Sequence, residues 1–183
     1  MKPRKIILIL LLIWNFSLAQ NQVEREIFMT VLNNEMTENT DIRKSGFEIY
    51  CEKNKSSFDP NEFQASTGLN ISTETLMELE EYSKKGHDGI WESKLFVEIK
   101  LQKSSIKSRK CITEKNALKM YKRKKTRQTI LKINRPIFDL KKEYCAVSLI
   151  LNEFTGSARG YTLFLKKVEG KWNVLSEYGI WIT

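Results

Sequence analysis

One histidine, three cysteines and a lysine-rich band are the residues of this chain whose chemistry could be put to use. His87 stands beside Asp88, with Glu92 further along, and an imidazole next to a carboxylate is the minimum for general acid–base hydrolysis. The competing reading is a solvated loop. His87 follows Gly86 at the end of an expected helix, where an imidazole meets the negative end of the helix dipole. A nucleophile pair of His87 with Cys51, Cys111 or Cys145 has no local spacing motif behind it. Glu80 and Glu81 are adjacent on a helix and diverge by about 100° instead of converging on a substrate. With a single histidine, no Cys-x-x-Cys and no Asp-rich loop, neither a metal site nor a cofactor is expected. P-loop, dinucleotide and nucleophile-elbow motifs are missing too. The sequence therefore names no catalytic residue and leans away from an enzyme, with a hydrolase using His87 and a carboxylate as the alternative.

Charge is more informative because it is unevenly placed. From Gln20 to Ile99 there are 8 Lys or Arg against 16 Asp or Glu, and from Lys100 to Arg135 there are 14 against one. Lys119, Lys122, Arg123, Lys124, Lys125 and Arg127 form the densest part of the basic band. A positive potential of this kind can hold a polyanion such as cell-surface polysaccharide, lipid head groups or nucleic acid. Tyr121 is the one aromatic residue inside the cluster, which is thin for base stacking. Arg159, in the loop Thr155 to Gly160, joins the candidates because turn amides and a guanidinium can cradle an anion. The bland alternatives are a hairpin connection for the loop and, for the band, a solvated surface or internal pairing with the acidic half. The expected function is a non-catalytic exported binding or interaction protein with a basic anion-binding face.

The address comes from the N-terminus. Lys2, Arg4 and Lys5 precede an apolar run from Ile6 to Trp14, and Ser17-Leu18-Ala19 follows with small residues at the −3 and −1 positions. This is the pattern of a secretory signal peptide, residues 1–19, and the run is too short for a spanning helix, which needs roughly 20 apolar residues. The mature chain, 20–183, is long enough for a single domain with its own core, periplasmic or extracellular, and holds no transmembrane segment. Three cysteines in an oxidising compartment leave at least one unpaired. The residues do not choose among the three pairings or three buried thiols.

Elements to position these groups can be read from periodicity. Val23, Ile27, Phe28, Val31 and Leu32 line one side of a helix ending near Asn34, with Glu24, Arg25, Glu26 and Glu35 assigned to its polar face. Phe47 to Cys51 alternates weakly as a strand, and Lys53 to Asn61 reads as a loop closed by Pro60. Ser72 caps a helix from Thr73 to Lys85, with Leu76, Leu79 and Tyr82 inward and Gly86 as its left-handed stop. Leu95, Val97, Ile99 and Leu101 alternate with Phe96, Glu98 and Lys100, which predicts a half-buried strand. Thr113 opens a helix from Glu114 to Lys124 with Leu118 and Tyr121 as its apolar side, and Leu131 and Ile133 fit a short strand. Cys145 to Glu153, Tyr161 to Lys167 and Trp172 to Ile182 then read as sequential antiparallel strands. In the last, Trp172, Val174, Ser176 and Tyr178 should share a face. The fold class expected is α+β, with N-terminal helices packed on a C-terminal β-meander.

The C-terminal block Arg135-Pro-Ile-Phe138, Gly156-x-x-x-Gly160-Tyr161, Lys171-Trp172-x-Val174 and Trp181-Ile182 resembles that of small exported proteins of Bacteroidota. Those proteins carry no assigned activity, so the resemblance transfers no functional residue. It implies a Cys-Gly-x-x-Cys-Gly loop in such relatives, and here Thr155 and Arg159 stand at the two cysteine positions.

Overall fold

The computed structural model describes residues 22–37, 46–102, 106–107 and 110–183. The expected leader, Met1 to Ala19, lies outside them. In chain order the elements are α1 (22–37), β1 (Glu48–Ile49), β2 (Glu52–Lys53), α2 (Pro60–Thr67), α3 (Thr73–Lys85), β3 (Gly89–Ile90), α4 (Ser93–Gln102), α5 (Glu114–Lys124), β4 (Thr129–Ile133), β5 (Ile137–Phe138), β6 (Tyr144–Glu153), β7 (Ala158–Val168) and β8 (Lys171–Ile182). The architecture is α+β.

The β6–β7–β8 meander forms from alternating apolar strands joined by short reversals. Glu169 and Gly170, at φ 50° and 79°, make a two-residue turn whose positive φ values suit the twist of β7 and β8. The main sheet has the order β1-β4-β6-β7-β8, with β5 also paired to β6. Within it β1 runs parallel to its neighbour, β4, and the other neighbouring strands pair antiparallel. A separate ribbon pairs β2 with β3.

Alternation along β6 and β7 gives the sheet two faces with different cover. Cys145, Val147, Leu149, Leu163 and Leu165 point to one face and are fully buried beneath Ile27, Phe28, Val31 and Leu32 of α1 and Leu95, Phe96 and Ile99 of α4. Ala146 and Phe164 point to the other face, where Phe63 of α2, Leu76 and Leu79 of α3, and Tyr178 cover them. Further along that second face, Ala117 and Tyr121 of α5 pack near Ile130 and Phe154. Burying one aliphatic or aromatic side chain is worth roughly 1.5–3 kcal/mol, so the α1–α4 layer is the main source of cohesion.

Five local expectations are corrected. Residues 95–101 are helical in α4 and not a strand: Leu95, Phe96 and Ile99 are buried at helical spacing, while Val97 is 46% exposed. The period-two reading had placed Phe96 outward, but its ring lies edge-on to Phe28 at 5.9 Å. Pro60 opens a helix instead of only ending a run. Asp59 Oδ1 accepts from the Asn61 and Glu62 amides, and proline at the first helical position gives up only an amide that would lack an intrahelical partner.

Gly86 ends α3 in an extended conformation, not a left-handed one; the left-handed glycine stop belongs to Gly68 after α2. In β8, the register slips between Phe164 and Leu165, so Val174 opposes Leu165 whereas Ser176 opposes Phe164. That bulge turns Trp172 and Val174 to the α1–α4 face and Ser176 and Tyr178 to the other. On α5, the inward residue is Ala117 beside Tyr121, and Leu118 is 41% exposed.

Cys51 and Cys111 form a disulfide, and Cys145 is a buried free thiol. The bridge joins the end of the β1 segment to the chain entering α5, where the Cys51 amide donates to the Ile112 carbonyl. Its sequence separation of 60 corresponds to about 4 kcal/mol of loop-closure stabilisation in the chain-entropy account.

Candidate functional site

Two regions concentrate charge. The first is the band that the sequence singles out. Thr113 caps α5 by accepting from the Asn116 amide, and Lys125 ends it in a left-handed conformation. Between them Ala117 and Tyr121 hold one side of the helix to the sheet, which leaves Lys119, Lys122, Arg123 and Lys124 exposed, followed by exposed Lys125 and Arg127. Among the described residues none of these six makes an ion pair with a carboxylate. Part of their charge serves α5 itself, because Lys122, Arg123 and Lys124 occupy the last turn and complement its dipole.

The β6–β7 hairpin stands beside this helix end. Phe154 meets Tyr121 at 6.2 Å, its amide donates to the Gln128 carbonyl, and a Cβ on Gly156 would lie 3.2 Å from Arg127 Cζ. Arg159 stands apart. It is opposite Leu151 in the register and its guanidinium lies 5.5 Å over the Tyr161 ring, on the α1–α4 face. The structure therefore gathers Lys119 to Arg127 on one face and leaves Arg159 on the other.

The second region, which sequence reasoning missed, is a cleft of about 740 Å³ between α1, the start of α4 and the β7–β8 turn. Trp91, Trp172, Met29 and Leu95 give it apolar walls. Each tryptophan has a cation near its ring, Lys53 at 4.7 Å from Trp91 and Lys167 at 5.5 Å from Trp172. At the floor, Glu24 Oε2 accepts from Lys53 Nζ at 2.6 Å, and Glu24 Oε1 is 3.8 Å from Arg135 Nη1. The β2–β3 ribbon sets Lys53 there, and Trp91 is fixed by an Nε1 hydrogen bond to the Ile133 carbonyl.

Glu24 and Glu35, assigned to the polar face of α1, are instead 6% and 1% exposed. The signal was present: Glu24 precedes Ile27, Phe28 and Val31 by three, four and seven residues, so it lies on the apolar stripe. A carboxylate on a buried stripe requires a buried partner.

Glu92 lines the cleft, while neither His87 nor Arg159 is among its lining residues. His87 is exposed, and the neighbouring Asp88 accepts a hydrogen bond from the Lys55 amide. Among the described residues no group of three His, Cys, Asp or Glu side chains could hold a metal ion, and no helix is long and apolar enough to cross a membrane. Burial pushes the Cys145 thiol well up, which makes it a poor nucleophile. The chain matches no protein-family model, no curated protein and no solved structure.

Proposed function

We propose that this is an exported, non-catalytic binding protein that holds a polyanion on the α5 face by charge. The observation that carries the reading is that Lys119, Lys122, Arg123, Lys124, Lys125 and Arg127 are exposed together with no carboxylate pairing them among the described residues. Several acidic side chains of the N-terminal half are engaged elsewhere: Glu24 with Lys53, Glu26 with Lys167, Glu80 with Lys84 and Glu81 with Lys85. The basic band thus keeps its potential for a partner.

Export rests on the leader-like N-terminus and is supported by the Cys51–Cys111 disulfide, which persists in oxidising compartments. A protein so placed meets cell-surface polysaccharide and lipid head groups before it meets nucleic acid. Retention on immobilised heparin tests the reading. Changing Lys122, Arg123, Lys124 and Lys125 together to Glu should lower the eluting salt concentration clearly, and elution at the wild-type salt concentration would overturn it.

A further inference from the structure

The cleft is physically separate from α5, because it lies on the α1–α4 face of the sheet whereas α5 packs on the opposite face. Its volume of about 740 Å³ falls in the range of small-molecule sites, and its lining combines the apolar Met29, Trp91, Leu95 and Trp172 with charged side chains, of which Glu24 and Lys53 are buried. The buried charges do not balance once Arg135, which meets Glu24 from outside the lining, is included. Glu24 faces two cations, Lys53 and Arg135, and the three side chains are 7%, 10% and 14% exposed. Arg135 Nε is buried without a hydrogen-bond partner. A surplus positive charge withdrawn from water is costly, and an arriving anion offsets that cost.

Around the opening the lining carries Arg25, Lys94 and Lys171 against Glu26 and Glu92, again a surplus of one positive charge. Lys94 and Lys171 line the opening, and among the described residues neither is paired to a carboxylate. Glu26, also on the lining, is already held by Lys167 at 3.5 Å and by Gln22 at 3.4 Å. We propose that this cleft binds a small organic carboxylate with an apolar body. The carboxylate takes a hydrogen bond from Lys53 in the cleft, and the apolar body lies against Trp91, Trp172, Met29 and Leu95. A cationic or neutral molecule of the same shape gains only the second half of these interactions.

Octanoate, octanol and octylammonium are suitable probes, read by the fluorescence of Trp91 and Trp172 and by calorimetry. Octanoate should bind saturably and at least about tenfold more tightly than the other two, as expected of one charge-assisted hydrogen bond. Met29→Trp, which fills the cleft without touching its charges, should abolish octanoate binding while leaving the far-UV circular dichroism unchanged. Lys53→Met should weaken it at least about tenfold. Equal binding of the three probes, or octanoate binding that survives Met29→Trp, would overturn the proposal. So would the lack of saturable octanoate binding to the wild-type protein. The variant with Lys122, Arg123, Lys124 and Lys125 changed to Glu should bind octanoate as wild type does, so the two sites fail or succeed separately.

Discussion

The basic face on α5 and the floor of the cleft hold cations in opposite ways. Around α5 six cations crowd into nine consecutive positions, Lys119 to Arg127, with water on the outside and little packing beneath their charged ends. At the cleft two cations from distant segments, Lys53 and Arg135, close on a carboxylate from α1 inside the α1–α4 layer. Solvated charges of the first kind interact weakly with their surroundings, each pair contributing about 0–1 kcal/mol, and so can be changed without unfolding the chain. Desolvated charges of the second kind are part of the packing, and removing one strands the others. One region is therefore adaptable surface, and the other is built into the fold.

The largest test of that contrast is Trp172→Ala. Trp172 is 7% exposed, closes the cleft wall and meets Phe138 at 6.0 Å, so truncation should cost about 3–5 kcal/mol in urea unfolding. A loss under 1 kcal/mol would place the wall outside the core. Removing the disulfide by Cys51→Ser with Cys111→Ser should cost about 4 kcal/mol, measured as a fall in the urea midpoint, because a loop spanning a sequence separation of 60 is released. Lys53→Met should cost about 3 kcal/mol, since Glu24 is then left buried with Arg135 alone at 3.8 Å. If Lys53→Met proves neutral in the same assay, the floor is not a coupled charge cluster.

Legibility in the sequence divides along the same line. The meander was readable because Cys145 to Glu153 and Tyr161 to Lys167 alternate over many residues, and α3 and α5 because Ser72 and Thr113 announce their first turns. Even the α5 cluster is a local feature, contiguous in the chain. Residues 95–101 misled because their period-two pattern overlaps a helical one, and only Phe96, apolar at an outward position of the strand reading, distinguished the two. The β8 bulge has no mark of its own in the alternation of Trp172, Val174, Ser176 and Tyr178; it follows from pairing with β7. The cleft was least legible, because Glu24, Lys53, Trp91, Arg135 and Trp172 come from five separate stretches and meet only after the sheet and its helices assemble.

Alkaline pH should act on the buried layers, including the one beneath α5, where Tyr50 packs with Ala117. Burial raises the pKa of the Cys145 thiol and of the Tyr82 and Tyr178 phenols, and pushes Tyr50 up to about 12. In each case the folded state retains its proton to higher pH than the unfolded chain. Stability is thus fully present below the unfolded-state values and falls as pH rises through about 8.5 for the thiol and about 10 for the phenols. Melting temperatures from pH 7 to 11 should decline progressively, and Cys145→Ala should soften the first part of that decline. A flat profile to pH 11 would contradict the burial of these groups.

The smallest expected effect on stability belongs to the basic face. Changing Lys122, Arg123, Lys124 and Lys125 to Glu should alter the unfolding free energy by about 1 kcal/mol or less, mainly through the α5 dipole. Its effect on binding is the direct test of the polyanion reading. The affinity of wild type and of this variant for a heparin oligosaccharide would be measured across a salt series, and the logarithm of affinity plotted against that of salt. The account predicts a steep fall for wild type and a slope shallower by roughly 3 for the variant, if four contacts release counterions as they do on a single strand. Parallel lines for the two proteins would contradict it.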